Sequence, residues 1–391
     1  MKDYQYVIVG GGMTAGSAVK GLREIDQDGS ILMITRENSM PYKRPPLSKK
    51  LWQGGEESDI YYDVDTHNLD LLLNTSVLSI NADLQRIAVS SGETFSYKKL
   101  LLATGGNAKK LPFGEAIINY YRTIDDYHQL KSFTKDRKRF AVIGGGFIGS
   151  EIAAALALNG KEVIMLEQAA GIGWKIFPEH MVKYLNEYYR NNGVEIFHNV
   201  QISSVARNED SVVIKLKDDF PILADSVIAG VGISLNTDLA MACDLEIDNG
   251  IHVNETLQTS IPSIFAAGDV ANFYNPLLER RIRVEHADNA NAMGIAAGRN
   301  MAEANQPYSY LPLFYSDMFD IGYEAVGILD SRLNIVEDWQ EKYQKGVLYY
   351  LEDESVVGVL LWNVWDKTDA AREIIGSKKG YSPEDLKGLI S

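Results

Sequence analysis

One cysteine, Cys243, stands in 391 residues. That scarcity excludes a disulfide scaffold and any internal dithiol relay. No apolar run approaches the roughly 20 residues that a membrane-spanning helix needs. Positive charge is also short, with 38 Lys and Arg against 53 Asp and Glu for a formal net charge of -15, which argues against nucleic acid or an anionic membrane as the main partner. The opening MKDYQYVIVGGG enters a strand pattern at once, with no basic-then-apolar leader before it, so the expectation is a soluble, cytoplasmic chain. No metal site is expected.

What is present reads as ordinary globular material, 46% hydrophobic with regular glycine punctuation. At this length a single core stops growing, so two or three domains are expected. A β-rich run at 6–9 ends on Gly10-Gly11-Gly12-Met13-Thr14-Ala15-Gly16 and is followed by the helical pattern SAVKGLREI. Strand, G-x-G-x-x-A and helix, in that order, bring a pyrophosphate to a helix N-terminus, where free N–H groups and the positive dipole end meet it. Gly10, Gly12, Thr14 and Ala15 are the candidate contacts. The next apolar strand, 31–35, ends at Arg36-Glu37. An acid about 20 residues beyond such glycines can accept hydrogen bonds from a ribose diol, and Glu37 takes that role because Arg36 offers no acceptor.

The whole arrangement recurs. Residues 139–143 lead into Gly144-Gly145-Gly146-Phe147-Ile148-Gly149-Ser150-Glu151, then the helix IAAALALNG, then a strand at 161–166 ending on Glu167. One such match is weak evidence, whereas two βαβ units in one chain point to two bound dinucleotides. Glu167 has no arginine pair in the QAAGIGWK that follows, so it should favour NADH by accepting from ribose hydroxyls and repelling a 2′-phosphate. Two further strand patterns end in polar loops, 100–103 before Thr104-Gly105-Gly106 and SIFAAGDV before Gly268-Asp269. Asp269 is placed either to bind a second polar part of an elongated cofactor or to serve as a turn or helix-cap residue.

The stretch PYKRPPLSKKLW gathers Lys43, Arg44, Lys49 and Lys50 among three prolines. Proline fixes its own φ and pushes the preceding residue towards extended geometry. Arg44-Pro45-Pro46 is therefore expected to be a rigid, extended strut, with a solvated basic turn as the alternative.

GGGMTAG, PYKRPPLSK, LLLATGG, GGGFIGSE and AAGDV, in this order and spacing, resemble the FAD-dependent pyridine nucleotide reductases of the glutathione-reductase fold. The branch is that of the ferredoxin and rubredoxin reductases and the apoptosis-inducing-factor-like proteins, to whose late segments RVEHADNA, FYSDMFDIGYEAVGILDS and GVLYYLEDESVVGVLLWNVW are similar. The resemblance implies an α/β fold of two Rossmann-like dinucleotide-binding domains, a FAD domain with an inserted NADH domain, plus a C-terminal α+β domain. The implied boundaries are 1–111 and 248–305 for the FAD domain, 112–247 for the NADH domain and 306–391 for the C-terminal domain. That last domain covers the flavin in the family and often dimerises, so a homodimer is allowed.

The same resemblance implies roles residue by residue. Arg44 contacts the FAD pyrophosphate, Lys49 lies beside flavin N5, and Arg122, Ala103, Thr104 and Gly105 touch FAD. Asp269, with Gly268, binds the ribityl chain. Glu285, His286 and Ala287 open a helix at the flavin pyrimidine edge and near the nicotinamide, where a helix N-terminus would stabilise negative charge on reduced flavin. Gly144, Gly146, Ile148 and Gly232 belong to the NADH site, which Phe147 gates and Tyr315 covers. Lys49 and Glu151 form a charge pair under the flavin. Against these stand simpler roles: core packing for Phe147 and Tyr315, an interior position for His286, and a first-turn helix-dipole carboxylate for Glu151.

The implied reaction is hydride transfer from NADH to flavin N5, followed by electron transfer to an acceptor. A small acidic iron–sulfur or rubredoxin-type protein docking on Arg280, Arg281 and Arg283, a quinone, and oxygen all remain open as acceptors. The alternative is an NADH-responsive redox sensor with slow turnover. Disulfide reductases of the fold carry their cysteine in the segment occupied here by PYKRPP, and Cys243 has no cation or helix start beside it to lower its pKa, so it is expected to be dispensable.

Overall fold

The buried end of strand Lys2–Val9, residues 6–9, and the wholly buried Ile31–Ile34 pair in parallel at the centre of a seven-stranded sheet. Leu69–Leu72 flanks them on one side, and Thr94–Leu102 follows on the other, itself joined in parallel by Ile264–Ala266. An antiparallel pair, Arg86–Val89 and Val77–Asn81, finishes the sheet. Continuous burial of this kind is what a parallel sheet covered on both faces requires. The computed structural model describes residues 2–209 and 211–390. Met1 and Ser391, the outer limits of the expected domains, lie outside the described residues.

The chain divides into two compact units. Unit 1, holding the sheet above, is Met1–Lys43, Glu56–Asn107 and Ser234–Pro312. Its helices Met13–Arg23 and Ala287–Met301 cross at backbone contact. A Cβ on Gly21 would lie 2.1 Å from the Ile295 carbonyl oxygen, and one on Gly298 would lie 2.1 Å from that of Ala18. Only glycine allows that approach, and it is what seats both helices on the sheet beside the first glycine loop.

Unit 2 is Arg44–Gly55, Ala108–Ile233 and Leu313–Ser391. It contains a second, five-stranded parallel sheet in the order Val194–Phe197, Glu162–Leu166, Arg139–Ile143, Ser226–Ala229, Ile118–Tyr120. A three-stranded antiparallel sheet spans Ile202–Arg207, Val212–Leu216 and Pro221–Ala224. The C-terminal stretch forms a five-stranded antiparallel sheet backed by helix Thr368–Ser377. The segments FYSDMFDIGYEAVGILDS and GVLYYLEDESVVGVLLWNVW each fold as a hairpin. Leu313–Met318 turns into Ile321–Gly327 at Phe319 (φ +58), and Lys345–Glu352 turns into Ser355–Trp362 at Asp353 (φ +52). The turns escape a periodicity reading because aromatic and acidic residues take the left-handed position that glycine usually fills. Phe177 joins the C-terminal sheet to the rest of the unit, edge-on to Tyr323 and Trp362 at 5.5 and 5.7 Å.

Arg44–Gly55 groups with unit 2, and its contacts say why. Prolines 45 and 46 open a 3₁₀ turn, Pro45–Ser48, instead of an extended strut. Arg44 takes helical angles (φ -77, ψ -35) in spite of the proline that follows it. Leu47 N–H donates to the Arg44 carbonyl at 3.0 Å, and the Arg44 guanidinium donates to the Arg122 carbonyl at 2.8 Å. These two bonds offset the steric preference for extension. A second turn, Lys50–Gln53, follows. Trp52 anchors it through Nε1–H to the Leu47 carbonyl at 2.8 Å and an edge-on contact with Tyr127 at 5.6 Å.

Candidate active site

Unit 1 builds a dinucleotide cradle from backbone. Gly10 has φ +132, and a Cβ there would sit 2.2 Å from the Ala103 carbonyl oxygen, so the loop closes directly on the end of the neighbouring strand. Gly12 caps helix Met13–Arg23 with no side-chain hydrogen bond. The N-terminal turn of this helix, with no capping side chain, faces the loop in the manner of an anion-binding helix start. Thr14 and Ala15 are buried in that turn, and Gly268 (φ +79) lies against Thr14, where a Cβ would be 2.3 Å from Oγ1. Glu37 ends the second strand region and accepts a hydrogen bond from the Tyr42 hydroxyl. Thr104 and Gly105 are tied to Asn236, a residue the sequence reading passed over: Thr104 Oγ1 donates to its carbonyl at 2.8 Å, and its own N–H reaches the Gly105 carbonyl at 3.0 Å. The arrangement, a glycine loop leading into a helix N-terminus with a carboxylate at the next strand end, fits an adenine dinucleotide such as FAD.

Asp269, Glu285, His286 and Ala287 also belong to unit 1. His286 is the N-cap of helix Ala287–Met301, with no side-chain cap, and Glu285 precedes the helix, paired with Arg283 at 2.6 Å. Burial pushes the His286 imidazole down to about 4, against the pull of Asp269. The ring is therefore neutral at neutral pH, in keeping with a helix N-terminus that repels a second positive charge. Because the unfolded chain protonates near 6.5 and the folded chain near 4, the unfolded state binds more protons between those values. This contribution to stability is complete above about pH 6.5 and lost as pH falls towards 4, by up to ~3 kcal/mol. His286→Gln should flatten that part of a melting-temperature profile between pH 7 and 4; a profile as steep as the native one would refute it.

Unit 2 repeats the cradle. Gly144 has φ +101 and faces the Gly230 carbonyl oxygen at 2.6 Å from its would-be Cβ. Gly146 caps helix Phe147–Leu158, again without a side-chain partner, and a Cβ on it would meet no atom within 4 Å. Glu167 lies beside this loop, accepting from Gly145 N–H and, at 2.9 Å, from Ala169 N–H. Gly232 (φ +97) likewise has open space at its Cβ. Ile148 is 39% exposed, and Phe147 meets Phe314 edge-on at 5.5 Å. An open Gly146 at the helix N-terminus, with an acid at the strand end, fits a nicotinamide dinucleotide.

The same helix carries Glu151 into a charge network. Glu151 is the fifth residue of Phe147–Leu158, and the first turn holds no acid, so dipole stabilisation is not its main role. Its carboxylate is buried and accepts from the Ser48 hydroxyl at 2.6 Å and the Ser316 hydroxyl at 2.7 Å. Lys49 Nζ lies 3.2 Å from Glu151 Oε1 and 3.2 Å from Asp317 Oδ2, and its side chain is only 11% exposed. It also sits 3.9 Å from the centre of the Tyr315 ring. Lys49 adopts φ -128, ψ -98 between the two 3₁₀ turns, which aims its stem at Glu151. The sequence reading had Lys49, Glu151 and Tyr315 as candidates and missed Ser48, Ser316 and Asp317. Alternation along FYSDMF was the available signal, since it sends Ser316 inwards between two outward neighbours.

Elsewhere the candidates are less free than their sequence suggested. Arg281 donates to the Val253 and Asn272 carbonyls at 3.1 and 2.8 Å, and Arg283 holds Asn249, Glu285 and the Asp269 carbonyl. Arg280 likewise donates Nε–H to the Leu278 carbonyl at 3.1 Å, so all three arginines of the expected docking patch are engaged in bracing unit 1. Arg122 opens helix Ile124–Asp136, its N–H bonded to Asp126 at 2.9 Å. Cys243 is half-buried with Sγ 3.7 Å from the Ile80 carbonyl oxygen, and burial followed by Asp244 pushes its thiol up. That is a packing residue, not a thiolate nucleophile. Among the described residues no group of side chains could hold a metal ion, and no helix is long and apolar enough to cross a membrane.

The family model described as pyridine nucleotide-disulphide oxidoreductase matches residues 4–294. A second, described as the C-terminal segment of mitochondrion-associated apoptosis-inducing factor, matches 297–341 and 336–377. The chain is 33% identical over 433 residues to apoptosis-inducing factor 1, mitochondrial, of Dictyostelium discoideum, across 100% of this chain and 81% of that protein. It is 32% identical over 390 residues to the ferredoxin–NAD(+) reductase component of the anthranilate 1,2-dioxygenase system of Burkholderia cepacia, across 97% and 96%. The solved covalent complex of putidaredoxin reductase with putidaredoxin superposes with a TM-score of 0.91 at 30% identity, covering 100% of this chain and 96% of that one.

Proposed function

The chain belongs to the pyridine nucleotide-disulphide oxidoreductase family as an FAD-dependent oxidoreductase that takes electrons from NADH, and from that premise we propose that it passes them to a small iron–sulfur protein of ferredoxin type. The observation that carries the reading is the convergence on one helix, Phe147–Leu158, of a dinucleotide-binding N-terminus and, one turn later, the Glu151–Lys49 pair. Bound FAD supplies the two-electron centre that accepts hydride from NADH. The residues of unit 1 that would hold it are Gly10, Gly12, Thr14, Ala15, Glu37, Ala103, Thr104, Gly105, Gly268 and Asp269. Gly144, Gly146, Ile148, Gly232 and Glu167 would hold NADH. Arg44 and Arg122 are assigned to the flavin nucleotide, Phe147 and Tyr315 to the nicotinamide, and Glu285, His286 and Ala287 to the flavin ring. Lys49, held by Glu151 at 3.2 Å, is assigned to the redox end of the flavin, where its charge would favour the arrival of electrons. The dioxygenase-system relative, a ferredoxin–NAD(+) reductase component, supports an iron–sulfur acceptor.

The experiment is anaerobic reduction of the FAD-loaded protein with one equivalent of NADH, followed by mixing with a [2Fe–2S] ferredoxin, a quinone or oxygen. Reoxidation fastest with the ferredoxin is expected. The match of residues 297–341 and 336–377 to an apoptosis-inducing-factor segment favours a second reading, a slow-turnover NADH sensor. A reduced complex that persists for minutes against all three acceptors would select it.

Glu167 makes a separate expectation. Its carboxylate is already fixed by Gly145 and Ala169 N–H groups, so it cannot swing away from a 2′-phosphate. NADH should reduce the flavin at least about ten-fold more efficiently than NADPH, ~1.4 kcal/mol in the transition state, and Glu167→Gln should narrow the gap. Equal stopped-flow rates with both nucleotides would remove the role.

A further inference from the structure

We propose that Arg36 is a base-stacking residue of the first dinucleotide cradle, clamped by Asn107 so that its guanidinium plane retains the adenine of bound FAD; the role rests on the assignment of FAD to that cradle. Every residue involved belongs to unit 1. The strand order sets Lys2–Val9 between Ile31–Ile34 and Thr94–Leu102, all three parallel, so their C-terminal ends share one edge of the sheet. Gly10 leaves the middle strand at that edge. Arg36 follows the strand on one side by two residues, and Asn107 follows the strand on the other by five. Yet Arg36 Nη2–H donates to Asn107 Oδ1 at 2.9 Å. Strands two apart in a sheet stand roughly 10 Å from each other, so this bond reaches across the end of the middle strand, at the glycine loop.

The loop touches the same segment. A Cβ on Gly11 would lie 2.4 Å from Thr35 Cβ, and Thr35 Oγ1 accepts from Glu37 N–H at 3.2 Å. Asn74 N–H closes on the Glu37 carbonyl at 3.3 Å. Arg36 is thereby held between two residues fixed beside the loop. At the other end Asn107 is steadied by Asn236, whose Nδ2 donates to the Thr104 carbonyl at 2.9 Å and to Asn107 Oδ1 at 3.4 Å.

The chemistry left to Arg36 is narrow. It is exposed, and its one side-chain partner among the described residues is that amide oxygen, although the chain holds 53 Asp and Glu. A guanidinium offers donors and a flat, weakly hydrated face that stacks on aromatic rings. Ligands of such sheets lie outside the carboxyl ends of the strands, with the pyrophosphate at the helix after the first glycine loop and the ribose at the acid ending the second strand. The base joined to that ribose falls beside Glu37, where the Asn107 bond fixes one edge of the guanidinium. A lysine could supply charge there but no plane.

The test is flavin retention by the full-length loaded protein, read as bound absorbance after desalting at timed intervals. FAD is compared with flavin cytosine dinucleotide, which keeps the flavin and the pyrophosphate and reduces the base to one ring. Affinity differences of this kind appear mainly in the release rate. Arg36→Ala should release FAD about five- to ten-fold faster than the native chain, with the cytosine analogue changed by less than about two-fold. Arg36→Lys should match Arg36→Ala. Asn107→Ala should speed FAD release by about two- to three-fold, and should add nothing once Arg36 is already Ala. Native FAD release in Arg36→Ala, equal acceleration with both dinucleotides, or full rescue by lysine overturns the proposal. A native chain that retains neither dinucleotide overturns instead the FAD assignment on which it rests.

Discussion

Gly146→Ala should leave the fold and the flavin in place and weaken NADH binding by at least about ten-fold, roughly 1.4 kcal/mol. Gly146 has φ -78 and ψ -172, an extended conformation open to any residue, and a Cβ there touches no protein atom within 4 Å. The protein itself therefore has almost no objection to a methyl group; loss of a favourable N-cap residue costs up to ~1 kcal/mol of stability. A dinucleotide does object, because the phosphates must come within hydrogen-bond distance of the N–H groups that Gly146 fronts. The neighbouring glycines provide the contrast. At Gly144 the backbone has φ +101 and a Cβ would lie 2.6 Å from the Gly230 carbonyl oxygen; at Gly149 it would lie 1.9 Å from that of Gly144. Alanine at either should damage folding as well as binding. The measurement is an anaerobic NADH titration of the flavin spectrum alongside thermal melting. A Gly146→Ala protein that melts normally and binds NADH as tightly as the native one would show that the second glycine loop does not hold the nucleotide.

Lys49→Ala carries the other large effect. Lys49 and Glu151 are 11% and 6% exposed in their side chains, and removing one member of a buried pair leaves the other charge uncompensated, at a cost on the order of 3 to 5 kcal/mol when burial is complete. The cost here should fall at or below the lower end of that range. Ser48 and Ser316 continue to donate to Glu151, and Asp317 is open to water. The functional sign is unaffected: with Lys49 gone, Glu151 and Asp317 leave two uncompensated negative charges, so the flavin potential should fall and hydride transfer from NADH should slow by at least ~10-fold. FAD should stay bound, since the helix N-terminus at Gly12 and the loop at Gly268 are untouched. Glu151→Ala should act in the opposite direction on the potential. The double variant, compared with both singles by stopped-flow and potentiometry, isolates the coupling. Silent or purely additive single changes would place the pair away from the redox reaction.

Each cradle was legible before any coordinates because its signal is local. A strand of period two, a glycine at a fixed offset where φ must be positive, a helix with small residues, and an acid at the end of the next strand all fall within about 30 residues. Gly10, Gly12, Gly144, Gly146, Glu37 and Glu167 therefore stand in the sequence nearly as they stand in the fold. Proline chemistry misled at Arg44 for the same reason. The preference of a pre-proline residue is local, whereas the Arg122 carbonyl that outweighs it lies 78 residues away.

The sequence alone determined the two βαβ units, their glycine loops and the acids that follow them, because these depend on residue type and short spacing. Tertiary structure alone decided what surrounds Lys49. Ser48 meets Glu151 across 103 residues and Ser316 meets it across 165. No period links such positions, and the identity of Asp317 as a second carboxylate on the same ammonium exists only once an edge strand, a helix and a proline-led turn have packed together.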